Sequence, residues 1–201
     1  QGENVSAIVT YSVKKIKKEE QFLTMVTERG VIKRTSLKDF ENIRRNGIIA
    51  ISLDKGDLLR WVVLSSGKDE MILTTEKGQS IRFKEAQVRS MGRAAGGVRA
   101  IKLRVGDTVA GFDILRESEK AENKVSKLLV VMANGYGKVT KLKEYKLQNR
   151  GGSGIRTANI TPKTGPIITS KVVTEEAELF ALSAKGQVIR TKIQGVRETG
   201  R

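Results

Sequence analysis

Four stretches of the chain repeat one alternation: an apolar run, a polar turn closing on glycine, then a second run that mixes apolar with basic residues. They are Phe22 to Gly30, Met71 to Gly78, Leu128 to Gly135 and Leu179 to Gly186, each read as a strand and the turn after it. A second strand follows each glycine, as in Val31-Ile-Lys-Arg-Thr-Ser-Leu37. The first strand is nearly all apolar, which suits burial on both faces near the hub of a radial assembly. The second carries Lys and Arg among β-branched residues and is expected to be partly exposed. The spacing of the glycines, about fifty residues, is the size of one propeller blade.

The register holds beyond the glycine without gaps. Five residues after it stand Thr35, Phe83, Thr140 and Thr191, and fifteen after it stand Arg45, Arg93, Arg150 and Arg201. Another glycine then opens a third β-like run at Gly47 to Leu53, Gly97 to Leu103 and Gly154 to Ile160. Gly56-Asp57 and Gly106-Asp107 mark turns into a fourth strand, such as Leu58 to Leu64. The expected fold is therefore all-β: a propeller or pinwheel of about four repeats of four antiparallel strands, forming one domain over residues 1–201. Approximate units are 2–53, 54–103, 104–160 and 161–201. Pro162 and Pro166 fall in a turn between the third and fourth strands of the third unit. The charged stretches Lys14 to Gln21 and Glu117 to Lys127 read as exposed hairpin loops or short helical turns. Residues 2–13 resemble the second half of a unit, with Gly2-Glu3-Asn4 in the place of Gly106-Asp107-Thr108. The chain stops at Arg201, inside the next loop. That phase implies either strand exchange between blades or a boundary set by truncation.

Composition narrows the function. The chain of 201 residues has 38 Lys and Arg against 22 Asp and Glu, a net charge of +16, and neither Cys nor His. Disulfides, thiol nucleophiles, Cys-based zinc sites and His-based acid–base or metal chemistry are thereby excluded. The positive excess calls for a polyanionic partner. The longest apolar run, Leu128 to Ala133, is far too short to span a membrane. Without an initiator Met or a signal-peptide core, the start reads as a cut from a longer polypeptide, and a cytoplasmic location is expected.

Three segments are specific enough to support a family resemblance. They are Lys38-Asp-Phe-Glu-Asn-Ile-Arg-Arg-Asn-Gly-Ile-Ile-Ala-Ile-Ser-Leu53, Val88-Arg-Ser-Met-Gly-Arg-Ala-Ala-Gly-Gly-Val-Arg99 and Asn134-Gly-Tyr-Gly-Lys138. With the repeat, they make the chain resemble, over essentially its whole length, the C-terminal domain of DNA gyrase A, a β-pinwheel that wraps duplex DNA. The topoisomerase IV counterpart is the near alternative. The family's gyrase box, Q-R-R-G-G-K-G, has its nearest parallel in Gln148, Asn149, Arg150, Gly151, Gly152, Ser153 and Gly154, with Asn149 and Ser153 in place of two basic residues. The resemblance implies that this is a degenerate copy in a later blade, and that the full box would precede Gln1. It implies about six blades in a complete domain, so that four units would form an open arc. It also implies as partners double-stranded DNA, the rest of gyrase A and, through it, gyrase B, with a nucleoid-associated location.

The candidate contacts follow the repeat. The loops after the second strands offer Arg44 and Arg45, Arg89 and Arg93, Arg150, and Arg197 and Arg201. The second strands offer Lys33 and Arg34, Arg82 and Lys84, Lys138 and Lys141, and Arg190 and Lys192, and the third strands add Arg99 and Arg156. A radial arrangement puts these at equivalent points on one rim, where guanidinium forks suit phosphate oxygens. About eight neutralised phosphates would give a slope of roughly −7 for log K against log salt. With no recognition helix, selectivity is expected from DNA bendability rather than base reading. The loop arginine has a structural alternative, a salt bridge to Asp39 or Glu41 of a neighbouring blade, and the box glycines one as a flexible loop. Asn134 to Lys138 lacks P-loop spacing and reads as a turn. No cofactor or metal is expected, and no catalytic residue: Tyr11, Tyr136 and Tyr145 have no acidic cluster beside them. A protein-interaction propeller is the competing class. The 4% aromatic content argues against the stacking platforms of single-strand or RNA binding.

Overall fold

The computed structural model describes residues 5–10, 20–43, 47–117 and 126–201. Arg44 and Arg45, most of the two charged stretches, and Gly2-Glu3-Asn4 and Tyr11 fall outside these. The described elements are thirteen strands and four 3₁₀ turns.

Strands β1 (Phe22–Thr27) and β2 (Val31–Ser36) form the first hairpin; β4 (Glu70–Thr75) with β5 (Gln79–Lys84), β8 (Ser126–Met132) with β9 (Gly137–Lys141), and β12 (Glu178–Leu182) with β13 (Val188–Lys192) are its counterparts. Each hairpin closes the same way. The glycine amide bonds to the carbonyl three residues back: Gly30 to Thr27, Gly78 to Thr75, Gly135 to Met132 and Gly186 to Ser183, at 2.9–3.1 Å. The glycine itself takes a positive φ, +84° at Gly78, where a side chain would be strained.

The fourth strand of each of the first three units, β3 (Leu59–Ser65), β7 (Val109–Leu115) or β11 (Ile167–Thr174), pairs antiparallel with the first strand of its own hairpin. The Gly-Asp turns that open β3 and β7 are fixed by their carboxylates. Asp57 Oδ1 accepts from the amides of Arg29 and Leu58, and Asp107 Oδ1 from those of Lys77 and Thr108. In the third unit the polarity reverses: Asn134 Nδ2 donates to the carbonyls of Pro162 and Lys163.

The outer edge is supplied from elsewhere. β6 (Val98–Arg99) pairs with β2 of the preceding unit, and β10 (Ile155–Arg156) with β5. The sheet orders are therefore β3-β1-β2-β6, β10-β5-β4-β7, β11-β8-β9 and β12-β13, an exchange of strands between successive units. No sheet among the described residues closes on itself. Between the second and third sheets it is the fourth strands, β7 and β11, that meet each other. The Val172 amide of β11 donates to Asp113 of β7 at 2.9 Å, and a Cβ on Gly111 would run into Ser170. The first strands β1, β4 and β8 are buried, with a strand flanking each on both sides.

Apolar clusters fill the spaces between sheets. Met71, Leu73, Ile81 and Phe83 of the second sheet pack with Val26 and Ile32 of the first. Ile72 and Leu115 pack with Leu128, Val130 and Tyr145 of the third, and Leu129 and Val139 meet Ile193 of the last unit. At about 25 cal/mol per Å² of apolar surface removed from water, these between-sheet clusters are the main stabilising contacts of the array.

Candidate nucleic-acid interface

A 3₁₀ turn follows every second strand, at Leu37–Phe40, Glu85–Gln87, Leu142–Glu144 and Ile193–Gly195. Its first residue is buried in all four units: Leu37, Glu85, Leu142 and Ile193. Sequence reasoning reads these turns as open loop, although the apolar residue seven places after the anchor glycine marks three of them. Beyond the turn the loop crosses to the preceding unit and lies along its second strand. Parallel bridges join Arg34 to Ser90, Arg82 to Leu147 and Val139 to Glu198. The amides of Met91, Gln148 and Thr199 donate to the carbonyls of Arg34, Arg82 and Val139. The residue just before each bridge is a cation, Arg89, Lys146 or Arg197, and all three are exposed. Lys146 escapes the sequence-based set, although its place eleven residues after Gly135 signals it.

The basic residues of the second strands divide into inward braces and outward charges. Lys33 has no exposed surface, and its Nζ donates to the Ala50 carbonyl at 2.6 Å and to the Arg93 carbonyl. Burial pushes its pKa below the ordinary lysine value, with Asp39 opposing the shift. Arg34 lies over the Phe22 ring at 4.3 Å and pairs at 3.5 Å with Glu85, whose carboxylate also accepts from Ser65 Oγ and the Gly67 amide. Arg82 pairs with Glu70 at 2.5 Å and donates to the carbonyls of Leu142 and Tyr145 in the next 3₁₀ turn. Arg190 repeats the cross-strand pair with Glu178 at 2.5 Å, beside Phe180. Lys138 donates to the Gly200 carbonyl at 2.5 Å, and burial lowers its pKa with Glu144 opposing. Lys141 pairs with Glu198 at 3.1 Å. Guanidinium and ammonium groups engaged in this way hold units together. Among the second-strand candidates, Lys84 and Lys192 are exposed, and their side chains make no hydrogen bond or ion pair among the described residues.

The box parallel is an anchored crossing rather than a flexible loop. Arg150 donates through Nε to the Gln87 carbonyl at 2.9 Å and through Nη1 to the Arg99 carbonyl at 3.0 Å, while its amide bonds Gln87 Oε1. The loop arginine thus does tie neighbouring units, through carbonyls instead of Asp39 or Glu41. Gln87 Nε2 donates to the Gln148 carbonyl and reaches Asn149 Oδ1 at 3.5 Å. Gly151 donates to the Ala100 carbonyl and Gly152 accepts from the Lys102 amide. Gly154 has φ +70°, and a Cβ there would stand 2.5 Å from the Ser80 carbonyl oxygen. Ser153 is exposed.

Arg99 and Arg156 sit at matching places on the exchanged outer strands, opposite Val31 and Gln79, and both are exposed. The described structure thus carries Lys84, Arg89, Arg99, Lys146, Arg156, Lys192, Arg197 and Arg201 as exposed cations on or beside second strands and their crossing loops, with Arg93 half-buried among them. Among the described residues no group of three or more Asp and Glu is placed to hold a metal ion.

A strand-exchanged repeat with one basic position renewed at each crossing describes a class of blade-built domains, and comparison gives the family. The model of the DNA gyrase C-terminal domain, a β-propeller, matches residues 21–66, 69–116, 127–174 and 177–201, and the chain belongs to this family. DNA gyrase A of Staphylococcus aureus (strain NCTC 8325 / PS 47) is 42% identical over 200 residues, 99% of this chain but 22% of the relative. The chain therefore spans under a quarter of the length of the curated relatives it matches. Among solved structures, a DNA gyrase A C-terminal domain aligns with TM-score 0.79 and 26% identity over 91% of this chain and 59% of that one. A C-terminal domain of DNA topoisomerase IV aligns with TM-score 0.83 and 23% identity over 92% of this chain and 56% of that one, a likeness of fold. No helix among the described residues is long and apolar enough to cross a membrane.

Proposed function

We propose that this chain is a non-catalytic module that binds duplex DNA through its phosphates and bends it across successive units. In this reading it serves a bacterial type II topoisomerase, gyrase, by presenting a DNA segment for strand passage. Its other partners are the remainder of gyrase A and, through it, gyrase B, in the cytoplasm at the nucleoid. The observation that carries the reading is the recurrence of exposed cations at structurally equivalent places: Arg89, Lys146 and Arg197 before the bridges, and Arg99 and Arg156 on the exchanged strands. The inward arginines behind them fix the crossings, so the outer charges are held in position before DNA arrives. That preorganisation lowers the ordering cost of binding. Chemistry of this kind recognises backbone and deformability, and no element among the described residues is shaped to read base edges.

The test is binding of a random-sequence duplex across a salt series, with energy transfer between dyes on the DNA ends. The eight exposed cations named above predict a slope of about −7. A steep slope with the ends drawn together supports bending. A steep slope with straight DNA supports binding but removes the bending claim, and absence of binding at low salt overturns the reading. The topoisomerase IV alternative is favoured by Asn149 and Ser153, which leave the box parallel with one cation. Restoring both bases (Asn149→Arg with Ser153→Lys) is expected to strengthen bending if the box position contacts DNA.

A further inference from the structure

We propose that Lys33 and Lys138 are positioning residues: they do not touch the phosphate backbone, and they hold the loops that carry Arg93 and Arg201 against it. This rests on the duplex-DNA reading above. Both lysines stand three residues after an anchor glycine, on the second strand of their units. Both ammonium groups reach the loop of the following unit at corresponding places. Lys33 donates to the carbonyl of Arg93 itself, fifteen residues after Gly78, and Lys138 to that of Gly200, fourteen after Gly186 and adjacent to Arg201. Lys33 also fixes the Ala50 carbonyl at 2.6 Å, so one fully buried ammonium joins three segments. Withdrawing the fully buried ammonium to meet a phosphate would leave two part-buried carbonyls without their donor, at a cost that a surface phosphate contact does not return.

The remaining junction shows the same need met differently. In the second unit the equivalent residue is Ile81, which has no donor to offer. There the loop of the following unit is held by Arg150 itself, through the carbonyls of Gln87 and Arg99. Where a lysine holds the loop, the arginine side chain is released: those of Arg93 and Arg201 make no hydrogen bond or ion pair among the described residues. Lysine at this strand position therefore determines whether the loop arginine tethers its own loop or is offered outward.

A double-mutant cycle on duplex affinity separates positioning from contact. Lys33→Met and Arg93→Gln are each expected to weaken binding three- to tenfold and to lower the salt slope by about 0.9, one phosphate contact. The double variant should show a single such step. Lys138→Met with Arg201→Gln forms the second cycle, at a half-exposed site where folding is less at risk. Amide exchange of Arg93 to Gly97 without DNA is the companion readout, and it should quicken in Lys33→Met while the second hairpin stays protected. Additive losses in the cycles would mean that the lysines touch phosphate directly and would overturn the proposal, as would unchanged loop exchange. If the unmodified chain binds no duplex, the DNA reading fails first and takes the proposed purpose of the lysines with it.

Discussion

β4 and β12 occupy equivalent places in the second and last units, and each opens on a Glu followed by a run of apolar residues. Yet β4 is buried at all six positions, whereas β12 alternates between half-buried and exposed. The difference lies in what surrounds them. β4 is flanked by β5 and β7, with Met71 and Leu73 packed toward the first sheet and Ile72 toward the third. β12 pairs with β13 alone among the described strands, and one of its faces, through Leu179, meets Leu129 and Val173. Between β11 and this hairpin lies an apolar recess of about 630 Å³. An apolar first strand in this repeat is thus half of a contact whose other half is supplied by its neighbours. Burial is a property of the junction, not of the unit.

The sharpest way to break that comparison is to remove the same core position in both units. Ile72 is 1% exposed and Phe180, six residues before its own glycine like Ile72, is 57% exposed. Ile72→Ala is expected to cost about 2–5 kcal/mol in urea unfolding. Phe180→Ala should stay within about 0.5 kcal/mol. Equal losses at the two sites would show that the last hairpin is packed as tightly as the second.

This contrast also marks what was legible in the sequence. The anchor glycines and the Gly-Asp turns are readable because each depends on local backbone needs: a positive φ, a carboxylate within reach of two amides. The four-strand unit is met only in part: the described sheets hold two to four strands, and the third run expected at Gly47 to Leu53 forms none, because a third run takes its partner strand from another part of the chain, as β6 and β10 do. The resemblance and the basic rim rest on the same short-range regularities. The direction of each cation was not readable. Lys33 and Arg34 are adjacent on a strand whose side chains alternate, so they point to opposite faces, and what each face meets is set by residues distant in sequence. Both in fact serve junctions, because Glu85, Arg93 and Ala50 arrive from elsewhere in the chain to meet them. The 3₁₀ turns were missed because a three- or four-residue helix has no period to detect, although Leu37, Leu142 and Ile193 kept one apolar place. Strand exchange stays one of two readings of the repeat's phase from sequence alone, since the partner of β2 lies more than sixty residues further on.

Glycine at the hairpin turn sharpens the comparison next. Gly78 and Gly135 share nearly the same φ, +84° and +82°. A Cβ on Gly78 would run into the Ala158 carbonyl of the following unit, while one on Gly135 would meet nothing within 4 Å. Gly135→Ala should therefore cost only the left-handed strain, about 1–2 kcal/mol. Gly78→Ala adds displacement of packed backbone, for a total of about 2–5 kcal/mol. Thermal melts of the two variants isolate the contribution of the exchanged strand as their difference.

Binding offers a smaller contrast. Arg89 and Arg197 stand at the same register, eleven residues after Gly78 and Gly186, and both are exposed. Neither Arg89→Gln nor Arg197→Gln should move stability by more than about 0.5 kcal/mol. Each should lower the salt slope by about 0.9. Arg197 lies on the loop that leaves the less buried hairpin, so its contact is made with more ordering, and its loss should weaken affinity less than that of Arg89. Titrations of both variants across the same salt series decide this.

The smallest expected effect is on pH, at the junction of the third sheet with the last hairpin. Lys127 pairs at 2.6 Å with both Glu175 and Glu198, and Lys141 adds a second contact to Glu198. Those hydrogen bonds hold the Glu198 carboxyl below its ordinary value of 4.5, and hydrogen bonds to Glu175 and then Glu198 raise Lys127 above 10.5. A carboxylate with a depressed pKa contributes stability that is present above its unfolded value and lost as pH falls through the folded one. A lysine with a raised pKa contributes below its unfolded value and loses it as pH rises through the folded one. The junction should hold from about pH 4.5 to 10.5 and weaken on either side. Because Glu198 is solvent-exposed, screening keeps the change small, and it should appear locally rather than in a global melt. Amide exchange of Leu179 to Leu182 is expected to quicken below pH 4.5 relative to the intrinsic rate, and Glu198→Gln should flatten that rise. An unchanged pH profile in the variant would place the hold on the hairpin in the Leu129, Val139 and Ile193 contacts alone.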